Sequence, residues 1–333
     1  MNRHEGLDAL RAGLLLYIIA FWHGFEYAPA VTWHMNMFTG ELTLVALGSF
    51  LMLAGYFVGI GWAKMDGRPL TTLQKAQTLV FERLKRLYPL YFIALVLFWA
   101  CGLEDAAGTI KALLLVSAVL KPAPPTLWFV LTLLTLTVLS PLLLTAADDG
   151  RRYLRRLAVM FAAAAAYALV TRLLDSRVVL YMPGFALGLW WGRHGVETVP
   201  LRLRAVAGAG LLVGAGLLGL GFGAGSQMLG AARDALLLLS GSVLLVDLAL
   251  RHPRLGAVYP AVEYFAYAGY AAYLFHRPIY IALTRLVRPD GQALQVLYVL
   301  GVCVPVVFVC ATAIQRLFDA TLRRAKPLAG VRP

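Results

Sequence analysis

Runs of about 20 apolar residues recur along this chain, and a run of that length is what spans the hydrocarbon of a bilayer. The apolar segments are 9–30, 41–63, 87–103, 109–120, 127–147, 155–173, 178–193, 203–223, 231–250, 262–286 and 294–318, eleven in all. In hydrocarbon every backbone N–H and C=O must find its partner within the chain, so such segments fold as helices. The expected fold is all-α, a polytopic membrane helical bundle forming one domain over residues 1–333. No long polar stretch is present to form an appended soluble domain. Only 14% of the residues are charged, against about a quarter in a soluble domain.

Segment 109–120 is too short to cross unaided, and the prolines of "KPAPP" at 121–125 end any helix there. With that segment dipping in without crossing and the N-terminus cytoplasmic, 20 Lys and Arg residues fall in cytoplasmic loops and tails. Seven fall on the opposite face, and Arg11, Arg277 and Arg316 lie in or near helices. A crossing by 109–120 would invert the second half and shrink this bias. The positive-inside rule therefore predicts about ten transmembrane helices, one short re-entrant or interfacial segment, and both termini cytoplasmic. The formal net charge of +13 belongs to this pattern and calls for no nucleic acid. Cys101, Cys303 and Cys310 all sit in apolar runs without a C-x-x-C pair, so neither disulfide framework nor metal site is expected. Ala28-Pro29-Ala30 loosely resembles a signal cleavage site, but Arg11 and His23 suit a retained helix better. The Ala- and Gly-rich stretches "FAAAAAYALV" and "AVAGAGLLVGAGLLGLGFGAG" read as close-packed or lipid-facing helices.

Ionisable residues inside such helices are costly and mark candidate function. In "AFWHGFEY", His23 and Glu26 are three apart and share one helix face. Two readings stand. The carboxylate fixes the imidazole tautomer and raises its basicity, which suits a general base near neutral pH. Alternatively both residues cap the helix at the outer interface. Arg11, near the inner end of the same helix, either serves the site, snorkels or pairs with Asp8 three residues earlier. Arg83 and Arg86 in "FERLKRLYPLYF" share a face at the mouth of the third helix. Two guanidiniums there suit a polyanion such as phosphate, and ordinary positive-inside anchoring explains them equally. Trp128 reads as an interfacial or cavity-lining aromatic. His276 and Arg277 precede Pro278, where buried polar pairs line a cavity or re-satisfy freed backbone groups. No Walker loop, dinucleotide fingerprint, H-E-x-x-H or G-x-S-x-G occurs.

"GLDALRAGLLLYIIAFWH" resembles the opening helix of acyltransferase family three, a family of integral membrane acyltransferases. Five phrases follow in that family's order: "GSFLMLAGYFVGIGW", "FERLKRLYPLYF", "LWFVLTLLTLTVLSPLL", "YMPGFALGLWWGR" and "GYAAYLFHRPIY". The resemblance implies transfer of an acyl group, commonly acetyl from acetyl-CoA, onto glycans or other acceptors. It implies a catalytic role for His23, a donor-binding or catalytic role for Arg11, and donor binding by Arg83 and Arg86. One departure matters. Eleven residues separate Arg11 from His23, where the family usually has ten. Twelve α-helical steps set the two roughly 120° apart, whereas eleven leave them near 20°. Either the helix holds a π-bulge or Arg11 faces elsewhere.

The expected reaction takes acyl-CoA from the cytoplasm as donor substrate, with no permanently bound cofactor. A glycan or lipid-linked saccharide is the expected acceptor and the bacterial inner membrane the expected site. His23 acts as general base or, alternatively, carries the acyl group covalently. Membrane lipid and further copies of the chain are the other expected partners. The competing reading is a transporter or flippase with His23, Glu26 and His276 as a proton or substrate path, though no internal duplication is visible. A non-catalytic scaffold is the third.

Overall fold

A computed structural model describes residues 4–196, 198–223, 226–252 and 254–325. Arg3, Lys326 and Arg332, which entered the charge count, lie outside the described residues. Among those described, all regular structure is helical. The chain groups into two compact units, Met1–Thr39 with His252–Pro333, and Gly40–Arg251.

The first unit joins the two ends of the sequence. α1 (Glu5–Leu16) runs into a π-helical turn (Tyr17–His23) and a 3-10 turn (Phe25–Tyr27). α10 (Tyr259–Leu286), α11 (Gln292–Tyr298), a second π turn (Val299–Cys303) and α12 (Val304–Ala325) complete it. Pro305 explains the second π turn: without an N–H it cannot bond back to Gly301, and the ladder shifts there. α1 and the π turn after it pack along α10; Leu7, Leu15, Ile18 and Ile19 on one side and the small residues Ala268, Ala271 and Ala272 on the other are each at most 3% exposed. Glu5 and Asp8 in the first turn of α1 complement the helix dipole. Both also reach out of their helix: Glu5 accepts from the Leu255 N–H at 2.5 Å, and Asp8 accepts from the Tyr259 hydroxyl at 3.1 Å.

The second unit holds α2 (Met37–Ala63, apart from its first residues), α3 (Thr72–Ala100), α4 (Ala106–Leu113) and α5 (Trp128–Leu144). α6 (Gly150–Thr171), α7 (Ser176–His194), α8 (Leu201–Gly219) and α9 (Gln227–Arg251) follow. Side-chain caps start several of these: a Thr71–Gln74 capping box at α3, Asp105 at α4, Asp149 at α6 and Asp175 at α7. α2 and α7 meet backbone to backbone. A Cβ at Gly188 would lie 1.9 Å from the Met52 carbonyl oxygen, one at Gly192 1.9 Å from that of Tyr56, and one at Gly55 2.1 Å from that of Phe185. Only glycine permits that approach, and close approach is how helices gain dispersion energy where lipid supplies no hydrophobic drive.

Among the described residues six helical stretches are long and apolar enough to cross a membrane: Glu5–Tyr27, Met37–Ala63, Gly150–Thr171, Leu201–Gly219, Met228–Arg251 and Gln292–Arg324. None of the apolar window of α6 is buried within the protein. A helix that apolar, with so little of it covered by the rest of the protein, is at home in hydrocarbon. α3, α5, α7 and α10 occupy the predicted segments 87–103, 127–147, 178–193 and 262–286. Of these α5 is 17 residues long, and the others carry charged residues within their length. Segment 109–120 holds the end of the eight-residue α4 and a 3-10 turn at Val116–Ala118, separated by Leu115 at φ 60°. α4 is about 12 Å long, well under the roughly 30 Å of a hydrocarbon core.

Candidate active site

The π turn at Tyr17–His23 is the local feature from which the site is built. In it the backbone ladder shifts to i→i+5, which absorbs one extra residue. The twelve steps from Arg11 to His23 then carry the angular register of eleven, about 20° rather than 120°. The eleven-residue spacing is thus accommodated by a π turn. Two neighbours fix it. The Tyr280 hydroxyl donates to the Ile19 carbonyl at 2.9 Å inside the turn. Gly24 closes it where a Cβ would lie 2.2 Å from the Ala20 carbonyl oxygen.

At the end of this turn three side chains converge. His23 Nδ1 lies 2.8 Å from Glu26 Oε1, and Arg277 Nη2 lies 2.7 Å from Glu26 Oε2 and 2.9 Å from His23 Nδ1. The side chains of His23, Glu26 and Arg277 are 13%, 21% and 16% exposed, so the cluster is largely withdrawn from its surroundings. A carboxylate only accepts and a guanidinium only donates. Nδ1 therefore serves one of the two at a time. When Nδ1–H donates to Glu26, the lone pair sits on Nε2 and the ring is a base. Arg277 meanwhile holds the second carboxylate oxygen. His276, fully buried, stacks on His23 with ring centroids 5.1 Å apart and planes 29° apart. Its Nδ1 faces the Tyr273 carbonyl at 2.8 Å and the Ala272 carbonyl at 3.3 Å. The carbonyl that Pro278 leaves without its N–H is Leu274, so His276 bonds different backbone groups from the ones the proline frees.

His23, Glu26, His276 and Arg277 are thus brought together in the first unit. Arg11 is not with them. It bonds Asp8 at 3.3 Å and lies about 18 Å from His23 along the helix. The other expected site residues belong to the second unit. Arg83 is half-buried and Arg86 exposed on α3. The groove beside them, lined by Leu84, Lys85, Tyr88, Pro89 and Leu113–Leu115, includes neither. Trp128 carries the Arg177 guanidinium 4.0 Å over its ring and stacks with Tyr181 at 5.9 Å. Arg177 is itself held by buried Asp175 at 2.6 Å.

Sequence reading missed two further polar groups. Arg233 binds Glu41 at 2.9 Å, Asp234 at 2.7 Å and the Phe222 carbonyl at 2.9 Å. Arg193 joins Asp66 and Asp148, each at 2.8 Å. Glu41 at the start of segment 41–63, with Arg233 and Asp234 inside segment 231–250, was the available signal for the first. The second joins Arg193, in the last turn of α7, to Asp66 and Asp148, two turn residues that look solvated in sequence.

A family profile described as an acyltransferase domain matches residues 4–314. No curated protein and no solved structure matches the chain.

Proposed function

Since the chain belongs to acyltransferase family three, we propose that this membrane protein moves an acyl group, acetyl in the first instance, from cytoplasmic acyl-CoA to a hydroxyl of a cell-envelope or exported polysaccharide. The chain would cross the bacterial inner membrane ten times with both termini cytoplasmic, in keeping with the charge asymmetry of its loops. The observation that carries the reading is the imidazole of His23 held against Glu26, with Arg277 on the carboxylate's other oxygen.

In this reading Nδ1–H donates to Glu26 and Nε2 takes the acceptor's hydroxyl proton as that oxygen attacks the thioester carbonyl. The C–S bond then breaks and the imidazolium returns its proton to the departing thiolate, so CoA leaves as a thiol. Glu26 steadies the transient imidazolium, and Arg277 holds Glu26 in place. Both stay in position throughout, so little reorganisation is needed at the moment of reaction. Arg83 and Arg86 are assigned to the phosphates of the donor. Arg11, far along the helix from His23, is assigned to the donor too, at a remove that suits the long pantetheine arm better than the reacting carbonyl.

The test is CoA-thiol release by purified protein given acetyl-CoA and candidate glycans. His23→Ala should abolish glycan-dependent release while the protein still inserts and purifies. Undiminished release by that variant would end the assignment.

A further inference from the structure

The ring of His276 is fully buried and its Nδ1 faces two carbonyl oxygens, those of Tyr273 and Ala272. Carbonyls only accept, so Nδ1 carries the hydrogen and the neutral ring bears its lone pair on Nε2. Among the described residues that Nε2 has no hydrogen-bond partner. An acceptor buried in this way is a cost, because buried polar groups normally find partners. A phenylalanine would fill the same space and keep the stacking on His23 without that cost.

A second unpaired atom lies in the same cluster. Arg277 spends Nη2 on Glu26 and His23, while its Nε–H is buried with no partner among the described residues. The cluster therefore presents one unused acceptor and one unused donor, both on groups packed against the His23 imidazole. A hydroxyl is the simplest neutral group that both donates and accepts through a single atom. An ion would be misfitted, since Glu26 already offsets the charge of Arg277.

We propose that His276 Nε2 and Arg277 Nε–H bind a second hydroxyl of the acceptor, next to the one that reacts, so that the site selects vicinal diols over simple alcohols. The hydroxyl donates to His276 and accepts from Arg277. His276 is then a specificity-determining residue. Its lone pair is fixed by backbone carbonyls and does not depend on the proton that His23 handles. This inference rests on the acyltransferase reading above.

The experiment measures kcat/KM with acetyl-CoA as donor and two kinds of alcohol: methyl hexopyranosides, and the same glycosides singly deoxygenated or O-methylated next to the reacting position. The wild-type protein should prefer the intact diols by about tenfold or more, since the lost hydroxyl forfeits one neutral and one charge-assisted hydrogen bond. The preference should appear in the acceptor KM, with the donor KM unmoved. His276→Phe should cut the ratio between the two alcohols severalfold, leaving what the Arg277 bond supplies, and His276→Gln, which returns an acceptor atom, should recover part of it. Equal use of both alcohols by the wild-type protein overturns the inference and leaves the acyltransferase reading standing. So does a His276→Phe variant that keeps the full preference. If neither histidine variant folds, the wild-type comparison alone decides. Failure of the wild-type protein to transfer acetyl to any alcohol counts against the underlying reading and takes the inference with it.

Discussion

At the scale of single residues, the site is a competition for one nitrogen. Glu26 and Arg277 both stand within 2.9 Å of His23 Nδ1, and only the Glu26 bond leaves His23 a base. Glu26→Gln should therefore lower kcat roughly a hundredfold, within the range that general base catalysis contributes, with little change in KM. Arg277→Gln should cost a similar factor by loosening the same carboxylate. Because the two act as a unit, the double variant should lose far less than the product of the single losses. Strict additivity in kcat would show that Arg277 does not work through Glu26. Part of this was legible in the sequence. The His-x-x-Glu spacing gives the first bond directly. The second joins residues 251 positions apart, and no local pattern encodes it. His276 and Arg277 could be flagged only as costly groups in an apolar run.

At the scale of elements, apolar length marks where helices lie but not which faces they share. Ten of the eleven apolar segments lie mostly on helix, because satisfying the backbone in hydrocarbon leaves no other choice, and the eleventh, 109–120, breaks at Leu115. The irregularities are less visible. The π turn showed only as one residue too many between Arg11 and His23, a sign that the structure resolves in favour of a local bulge. The tightest packing also escaped notice. The conspicuous Gly- and Ala-rich stretches are α6, whose apolar window is not buried at all, and α8, where only 17% is. The backbone contact is instead made by the scattered glycines of α2 and α7. Gly188→Val should destabilise the detergent-purified protein by about 3 kcal/mol or more, since overpacking costs that much even without backbone in the way. Gly208→Val in α8, where a Cβ meets nothing within 4 Å, should stay within about 0.5 kcal/mol. Thermal unfolding of the two variants side by side checks this, and equal shifts would show that the seam is not a structural constraint.

At the scale of the whole molecule, the two units carry different residues of the proposed reaction: His23, Glu26, His276 and Arg277 in one, Arg83 and Arg86 in the other. If the second unit serves the donor, Arg83→Ala should raise the apparent KM for acyl-CoA about tenfold, as expected for loss of a charge-assisted bond to phosphate. The acceptor KM should hardly move. An unaltered donor KM would remove Arg83 from that role. The division into units could not be read from the sequence, since apolar segments follow one another without a linker.

Because the first unit is stitched from residues 1–39 and 252–333, the imidazole is synthesised long before His276 and Arg277. A ribosome that has delivered α1 to the bilayer must still make more than two hundred residues before Arg277 exists. Until then Glu26 waits in the membrane as an uncompensated acid. A nascent chain stalled short of α10 thus holds the reactive ring and its carboxylate but not the guanidinium that secures the pair, so the full ability to turn over can arise only as biogenesis nears its close.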